Sequence, residues 1–213
     1  MKSIAECRLY GIVDTGYVER GNLLTITSQL LRGGVDIIQL RAKNQAAEEV
    51  LEMALELAPI CRAAGIPFIL NDHPELVRES GADGVHVGQD DLSVAEARRL
   101  AGPGAIIGKS THSLTQAIAA AGESPNYIGF GPLFATPTKP DYPPIGTGQI
   151  TTVHQSLTLP IFCIGGIKLS NLPEVLAAGA RRVVIVSDLL IATDSAAQAA
   201  QCKALLQNRG EIG

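Results

Sequence analysis

Gln39, Arg41 and Lys43 stand at alternate positions in and just beyond an apolar run that begins near Asp36. On a strand that spacing puts all three on one face, the face that also carries Ile37. Two cations and an amide at a strand end can receive an anionic leaving group, because Arg forks onto phosphate oxygens and Lys adds a point charge. Two further apolar runs close in Asn71-Asp72-His73 and Gly88-Gln89-Asp90-Asp91. Carboxylates at the ends of neighbouring strands can converge on a hard cation such as Mg²⁺, which keeps some waters and completes its shell with substrate phosphates. The pair predicted for that role is Asp72 with Asp91. The competing reading makes Asp90 or Asp91 an N-cap for the helix that follows.

Ser110 and His112 lie two apart in Lys109-Ser110-Thr111-His112, a spacing that invites a nucleophile reading. No G-x-S-x-G elbow surrounds the serine, so hydroxyl donation to a phosphate or a ring nitrogen is expected instead of acyl chemistry. His86 falls mid-strand and reads as a satisfied interior histidine below the site. Thr136-Pro137-Thr138-Lys139 sets two hydroxyls and an ammonium within four residues but lacks Walker spacing; a polar solvated turn is the alternative. Gly165-Gly166 and Val186-Ser187 end two late apolar runs, where glycine lets main-chain N–H groups approach a phosphate.

These residues need a scaffold that brings many strand ends to one place. Short β-branched runs begin near Leu9, Asp36, Pro67, Gly84, Ala105, Tyr127, Pro160 and Arg182. The average step is about 25 residues, enough for one strand, one helix and two short loops. Helical spacing falls at 22–32, 45–64, 74–80, 93–101, 114–122, 150–156, 170–178 and 195–207. Gly34, Gly81 and Gly179 each close a helical stretch before an apolar strand, as left-handed C-caps do. Near-continuous apolar strands fit a parallel sheet buried on both faces. Eight βα units without a G-x-G-x-x-G after the first strand predict a closed (βα)8 TIM barrel, an α/β fold forming a single domain over 1–213. The one long irregular stretch, Phe134 to Gly148, has the length of a functional lid.

Composition bounds the partners. The 17 Lys and Arg against 21 Asp and Glu give a net charge of −4, which argues against nucleic-acid binding and polybasic membrane attachment. Only eight aromatics are present, too few to offer stacking platforms for single strands. The widely spaced Cys7, Cys61, Cys163 and Cys202 form no zinc pattern and read as free thiols of a reducing compartment. With no apolar leader at the start and no run of about 18 uncharged apolar residues, the chain is expected to be cytoplasmic and soluble. A homo-oligomer is compatible with this reading.

Taken in order, the motifs resemble the thiamin phosphate synthase (thiamin-phosphate pyrophosphorylase) family. The resemblance runs from Leu9 to about Ile191 and rests on Gln39-Leu40-Arg41-Ala42-Lys43, Asn71-Asp72, His86 to Asp91, Ser110-Thr111-His112, Gly129 to Pro132, Thr136 to Lys139 and Ile164 to Ile167. It implies a (βα)8 barrel that joins 4-amino-2-methyl-5-hydroxymethylpyrimidine diphosphate to 4-methyl-5-(2-hydroxyethyl)thiazole phosphate and releases diphosphate. Carried over by position, Gln39, Leu40, Arg41, Ala42, Lys43, Asn71, Ser110 and Lys139 would hold the pyrimidine diphosphate. Arg41, Lys43, Ser110 and Lys139 would act in catalysis, Asp72 and Asp91 would bind Mg²⁺, and Thr136, Pro137, Thr138, Gly166, Val186 and Ser187 would hold the thiazole phosphate. Lys109 and Lys168 depart from the family pattern. Two alternatives are a thiazole tautomerase on a similar barrel and a non-catalytic phosphate-binding regulatory barrel.

Overall fold

The computed structural model describes residues 1–136 and 142–208. Eight parallel strands close on themselves in sequence order: β1 (Leu9–Asp14), β2 (Ile37–Arg41), β3 (Phe68–Asn71), β4 (Gly84–Val87), β5 (Ile106–Thr111), β6 (Tyr127–Phe130), β7 (Ile161–Cys163) and β8 (Val183–Ile185). Each begins within one residue of its predicted start. Pairing of Tyr10 with Val184 seals β1 to β8, so the sheet has no edge.

Helices fill the connections: α1 (Leu23–Arg32), α2 (Ala47–Ala63), α3 (Val77–Ser80), α4 (Val94–Ala101), α5 (Leu114–Gly122), α6 (Ile150–Ser156), α7 (Leu172–Ala177), α8 (Ser187–Leu190) and α9 (Ser195–Gln207). The single turn of α8 was not expected, since four residues are too few to show a helical period. The predicted C-cap glycines Gly34, Gly81 and Gly179 all take positive φ, at 84°, 72° and 110°. At the start of α4 the N-cap is Ser93, whose hydroxyl accepts the Glu96 N–H while Glu96 reaches back to the Ser93 N–H. The capping reading of Asp90 and Asp91 is therefore corrected: Ser93 does that work.

Strand alternation divides the apolar residues into two cores. Outward positions such as Leu9, Ile38, Leu40, Phe68, Val85, Ile107, Phe130 and Cys163 join the helices in the larger one. Inward positions Tyr10, Ile12, Ile37, Ile69, Tyr127, Phe162 and Val184 fill the barrel in a smaller one. Edge-to-face contacts among Tyr10, Tyr127 and Phe162, with ring centroids 5.5–5.9 Å apart, floor the cavity above them. All four cysteines are buried and free. Lys109, on the outward face of β5, is also buried, with Nζ 3.5 Å from the Leu92 carbonyl oxygen, whereas Lys168 is exposed.

Asp36, just before β2, is buried and receives Lys2 at 2.5 Å, Lys203, and the N–H groups of Arg8 and Leu9 at 2.9 Å each. This joins the N-terminal segment and α9 to the base of the barrel. Among the described residues no helix is long and apolar enough to cross a membrane.

Candidate active site

The strands all deliver their C-terminal ends to one mouth, which opens into about 1060 Å³ of space continuous with solvent. Inward alternation brings Gln39, Arg41 and Lys43 from the β2 end to its wall, with Asn71 and Asp72 from β3, Asp91 after β4, and Ser110 from β5. Farther round the ring, Gly165 and Gly166 follow β7, and Val186 and Ser187 follow β8. Thr136 lines the same space. The Leu40 and Ala42 side chains do not: the alternation that sends their neighbours inward packs both into the outer core. Pro137, Thr138 and Lys139 lie outside the described residues.

Both cations on the β2 face are matched by carboxylates. Arg41 Nη1 lies 2.7 Å from Asp14 Oδ2, at the end of β1, and Lys43 Nζ lies 2.5 Å from Asp72 Oδ2. Asp14 is nearly fully buried, and its Oδ1 also accepts the Gly16 N–H. Sequence reasoning assigned Asp14 no role. Its position, ending β1 beside the end of β2, was the available signal. Asp72 takes φ of 70°, a left-handed conformation that short polar side chains tolerate. Asp91 Oδ2 accepts the Gly88 N–H at 2.6 Å, which folds the β4 loop back on itself.

Ser110 pairs with His86, not with His112. Ser110 Oγ and His86 Nε2 are 2.9 Å apart, while His112 Nδ1 meets the Gly131 carbonyl oxygen at 2.5 Å. His86 is thus hydrogen-bonded as expected, but it belongs to the cavity wall and not to a layer beneath it. Its Nδ1 lies 3.1 Å from Tyr127 OH, which lies 2.9 Å from Tyr10 OH, which in turn accepts from Gln39 Nε2 at 2.7 Å. Burial pushes both tyrosine hydroxyls well above the ordinary tyrosine range, so both keep their protons. This chain was not foreseen, because its members come from five different strands.

Glycines make room for it. His86, Gly108 and Tyr127 are register partners on β4, β5 and β6, and a Cβ on Gly108 would meet the Tyr127 ring at 2.2 Å and His86 Nδ1 at 2.5 Å. Across the mouth, Gly165 and Gly166 take φ of 98° and 64°, and a Cβ on Gly165 would sit 2.4 Å from Pro132. Only glycine fits that conformation and that contact. Above the β5 side, the His112 and Tyr142 rings stack at 4.2 Å, and Tyr142 OH donates to Asp90 Oδ2 at 3.3 Å.

The profile of the thiamine monophosphate synthase family matches residues 9–189, a span that takes in all eight strands and the wall of the cavity. The chain belongs to that family. It is 40% identical over 204 residues to the thiamine-phosphate synthase of Chloroflexus aurantiacus, covering 95% of this chain and 94% of that one. Against the thiamine-phosphate synthase of Thermus thermophilus it is 45% identical over 170 residues, 79% of this chain and 81% of the other. In three dimensions it matches the thiamine phosphate pyrophosphorylase of Pyrococcus furiosus with a TM-score of 0.88, at 28% identity and 99% coverage of both chains.

Two carboxylates, an amide-bearing strand end and two cations on one side of a cavity suit a diphosphate with its counter-cation. Among the described residues no three His, Cys, Asp or Glu side chains cluster closely enough to hold a metal unaided. Asp72 and Asp91 both line the cavity, and one or two carboxylates with the remaining shell drawn from water and substrate phosphate is the donor set that Mg²⁺ favours. The Lys43 ammonium against Asp72 already shows that this carboxylate accepts a cation on its cavity side.

Proposed function

We propose that this chain couples 4-amino-2-methyl-5-hydroxymethylpyrimidine diphosphate with 4-methyl-5-(2-hydroxyethyl)thiazole phosphate, giving thiamin phosphate and diphosphate, and that it does so in the cytoplasm with Mg²⁺. Family membership gives the chain the activity of thiamine-phosphate synthesis, a transferase reaction of thiamin biosynthesis. One observation carries the assignment of substrates to surfaces: the cationic, carboxylate-bearing wall and the glycine turn line one cavity from opposite sides of the barrel.

The cationic wall takes the pyrimidine diphosphate. Arg41 and Lys43 neutralise the charge that grows on the departing diphosphate, a task the family resemblance also gives to Lys139. Asp14 and Asp72 keep the two wall cations extended into the cavity before substrate arrives, so little reorganisation remains at the moment of bond breaking. Asp72 and Asp91 would hold Mg²⁺, which when bound supplies further positive charge to the diphosphate oxygens. Asn71 and Ser110 orient the pyrimidine.

Across the cavity, the main chain at Gly166, Val186 and Ser187 receives the thiazole phosphate, with Thr136 and Thr138 adding hydroxyls. That leaves the thiazole ring facing the pyrimidine methylene. The bond to diphosphate breaks first, and the thiazole nitrogen captures the methylene cation. No protein nucleophile is needed. The enzyme's task is charge neutralisation, alignment and exclusion of water.

The test mixes purified protein with both substrates and Mg²⁺, and measures thiamin phosphate and diphosphate, with a chelator control. Equal amounts of the two products, lost on chelation, are expected. A thiazole isomer formed without coupling would instead identify a tautomerase. Lys139→Ala should slow turnover about 10²- to 10³-fold under saturating substrate; a near-normal rate would remove Lys139 from the assignment.

A further inference from the structure

Five hydrogen-bonding groups run through the barrel interior in an unbroken line: Gln39, Tyr10, Tyr127, His86 and Ser110. Tyr10, Tyr127 and Gln39 are each no more than 2% exposed, so their bonding is settled within the protein and not by bulk water. Each link needs one donor and one acceptor. With one proton per hydroxyl, a neutral imidazole, and each buried tyrosine proton needing its acceptor within the line, only two orderings satisfy every link. In one, protons point from Gln39 toward Ser110. In the other, they all point back.

The amide end chooses between them. Gln39 presents Nε2, a donor that cannot accept, to Tyr10 OH. Tyr10 then gives its own proton to Tyr127, and Tyr127 gives its proton to His86 Nδ1. An imidazole that accepts at Nδ1 carries its hydrogen on Nε2, which faces Ser110 Oγ. Ser110 Oγ accepts that bond with one of its lone pairs, and its hydrogen is turned away from His86 into the cavity.

We propose that Gln39, Tyr10 and Tyr127 are positioning residues that lock His86 in its Nε2–H form and so make Ser110 a hydrogen-bond donor to the substrate. The group its proton selects is an acceptor lone pair, such as a ring nitrogen. The same ordering removes any role for His86 as a base toward Ser110. Gly108 is part of the device, since any side chain there would occupy the space in which Tyr127 and His86 meet. The substrate half of this inference rests on the synthase reading; the proton ordering does not.

The experiment is nitrogen-15 NMR of ligand-free protein labelled at its four histidines, with His86 assigned by single His→Gln changes at the other three positions. At neutral pH, His86 should show a protonated Nε2 and a bare Nδ1. A protonated Nδ1, or a charged ring, would overturn the proposal. Tyr10→Phe, nearly isosteric, cuts Gln39 from the chain. It should turn the single His86 form into a mixture and lower kcat/KM for the pyrimidine diphosphate about tenfold, with KM for the thiazole phosphate unchanged. If His86 stays wholly in the Nε2–H form in that variant, Gln39 is not what orders the chain, and the idea fails. A wild-type protein with the expected tautomer but no coupling activity would count against the synthase reading and leave this one standing.

Discussion

Lys43 Nζ and Asp72 Oδ2 lie 2.5 Å apart across the ends of adjacent strands, so the cavity holds a cation against this carboxylate before any substrate enters. The Asp72 side chain is about one-quarter exposed, enough to let an incoming ion compete for it. The Asp72 N–H is tied to the His86 carbonyl oxygen at 3.0 Å, which fixes the backbone from which the carboxylate projects. Asp72→Asn keeps a residue that tolerates the left-handed backbone and removes only the charge. Turnover should fall about 10²- to 10³-fold, with a higher Mg²⁺ requirement and an unchanged thermal midpoint. Initial rates against Mg²⁺, beside a melting curve, check both halves.

Gly108→Ala puts a methyl group where the Tyr127 ring already is. The ring is enclosed by Tyr10 and Phe162 and cannot retreat without disturbing them. A loss of about 1–3 kcal/mol is expected from overpacking, with reduced activity from the displaced His86. Denaturant titration measures the first and the coupled assay the second. Full retention of both would mean that the interior is looser than the contacts indicate.

The Asp36 cluster gives a pH signature. Burial pushes the Asp36 carboxyl up, but Lys2, Lys203 and the N–H groups of Leu9 and Arg8 together outweigh it, leaving the net value below the ordinary 3.8. A carboxyl depressed in the folded state stabilises the fold above its unfolded pKa, and that contribution disappears as pH falls through the folded value. Asp36→Asn should therefore cost about 1–3 kcal/mol at neutral pH and progressively less below about pH 4. Paired melting curves of wild type and variant at pH 7 and pH 3 test the convergence.

The thiols should be silent in the native protein. Burial pushes Cys7, Cys61, Cys163 and Cys202 each up to about 12, so little thiolate exists at neutral pH and reagents have no path to it. A disulfide reagent should find almost no reactive thiol in buffer and all four in denaturant. Rapid reaction of any one in buffer would show local opening at that strand or helix.

Much of this molecule could be read along the chain. Alternation marked Gln39, Arg41 and Lys43 as one face, and the glycines before β2, β4 and β8 marked where helices stop. These are local facts, carried by spacings of two and of three to four residues that any segment displays by itself. Strand ends in a parallel barrel must share one rim, so the residues ending those runs could be gathered into one site in advance.

Partnership was another matter. Periodicity told that Arg41 faces inward but not that Asp14 meets it, and it gave Tyr10 and Tyr127 no role. Nor did it give Ser110 its protein partner: the hydrogen bond goes to His86, 24 residues away in sequence. Asp36 likewise draws one cation from the first residues of the chain and another from the last helix. Such pairs are decided by closure of the sheet, which fixes strand order and register together. Spacing along a chain sets which way a side chain points, and only the closed barrel sets what stands opposite it.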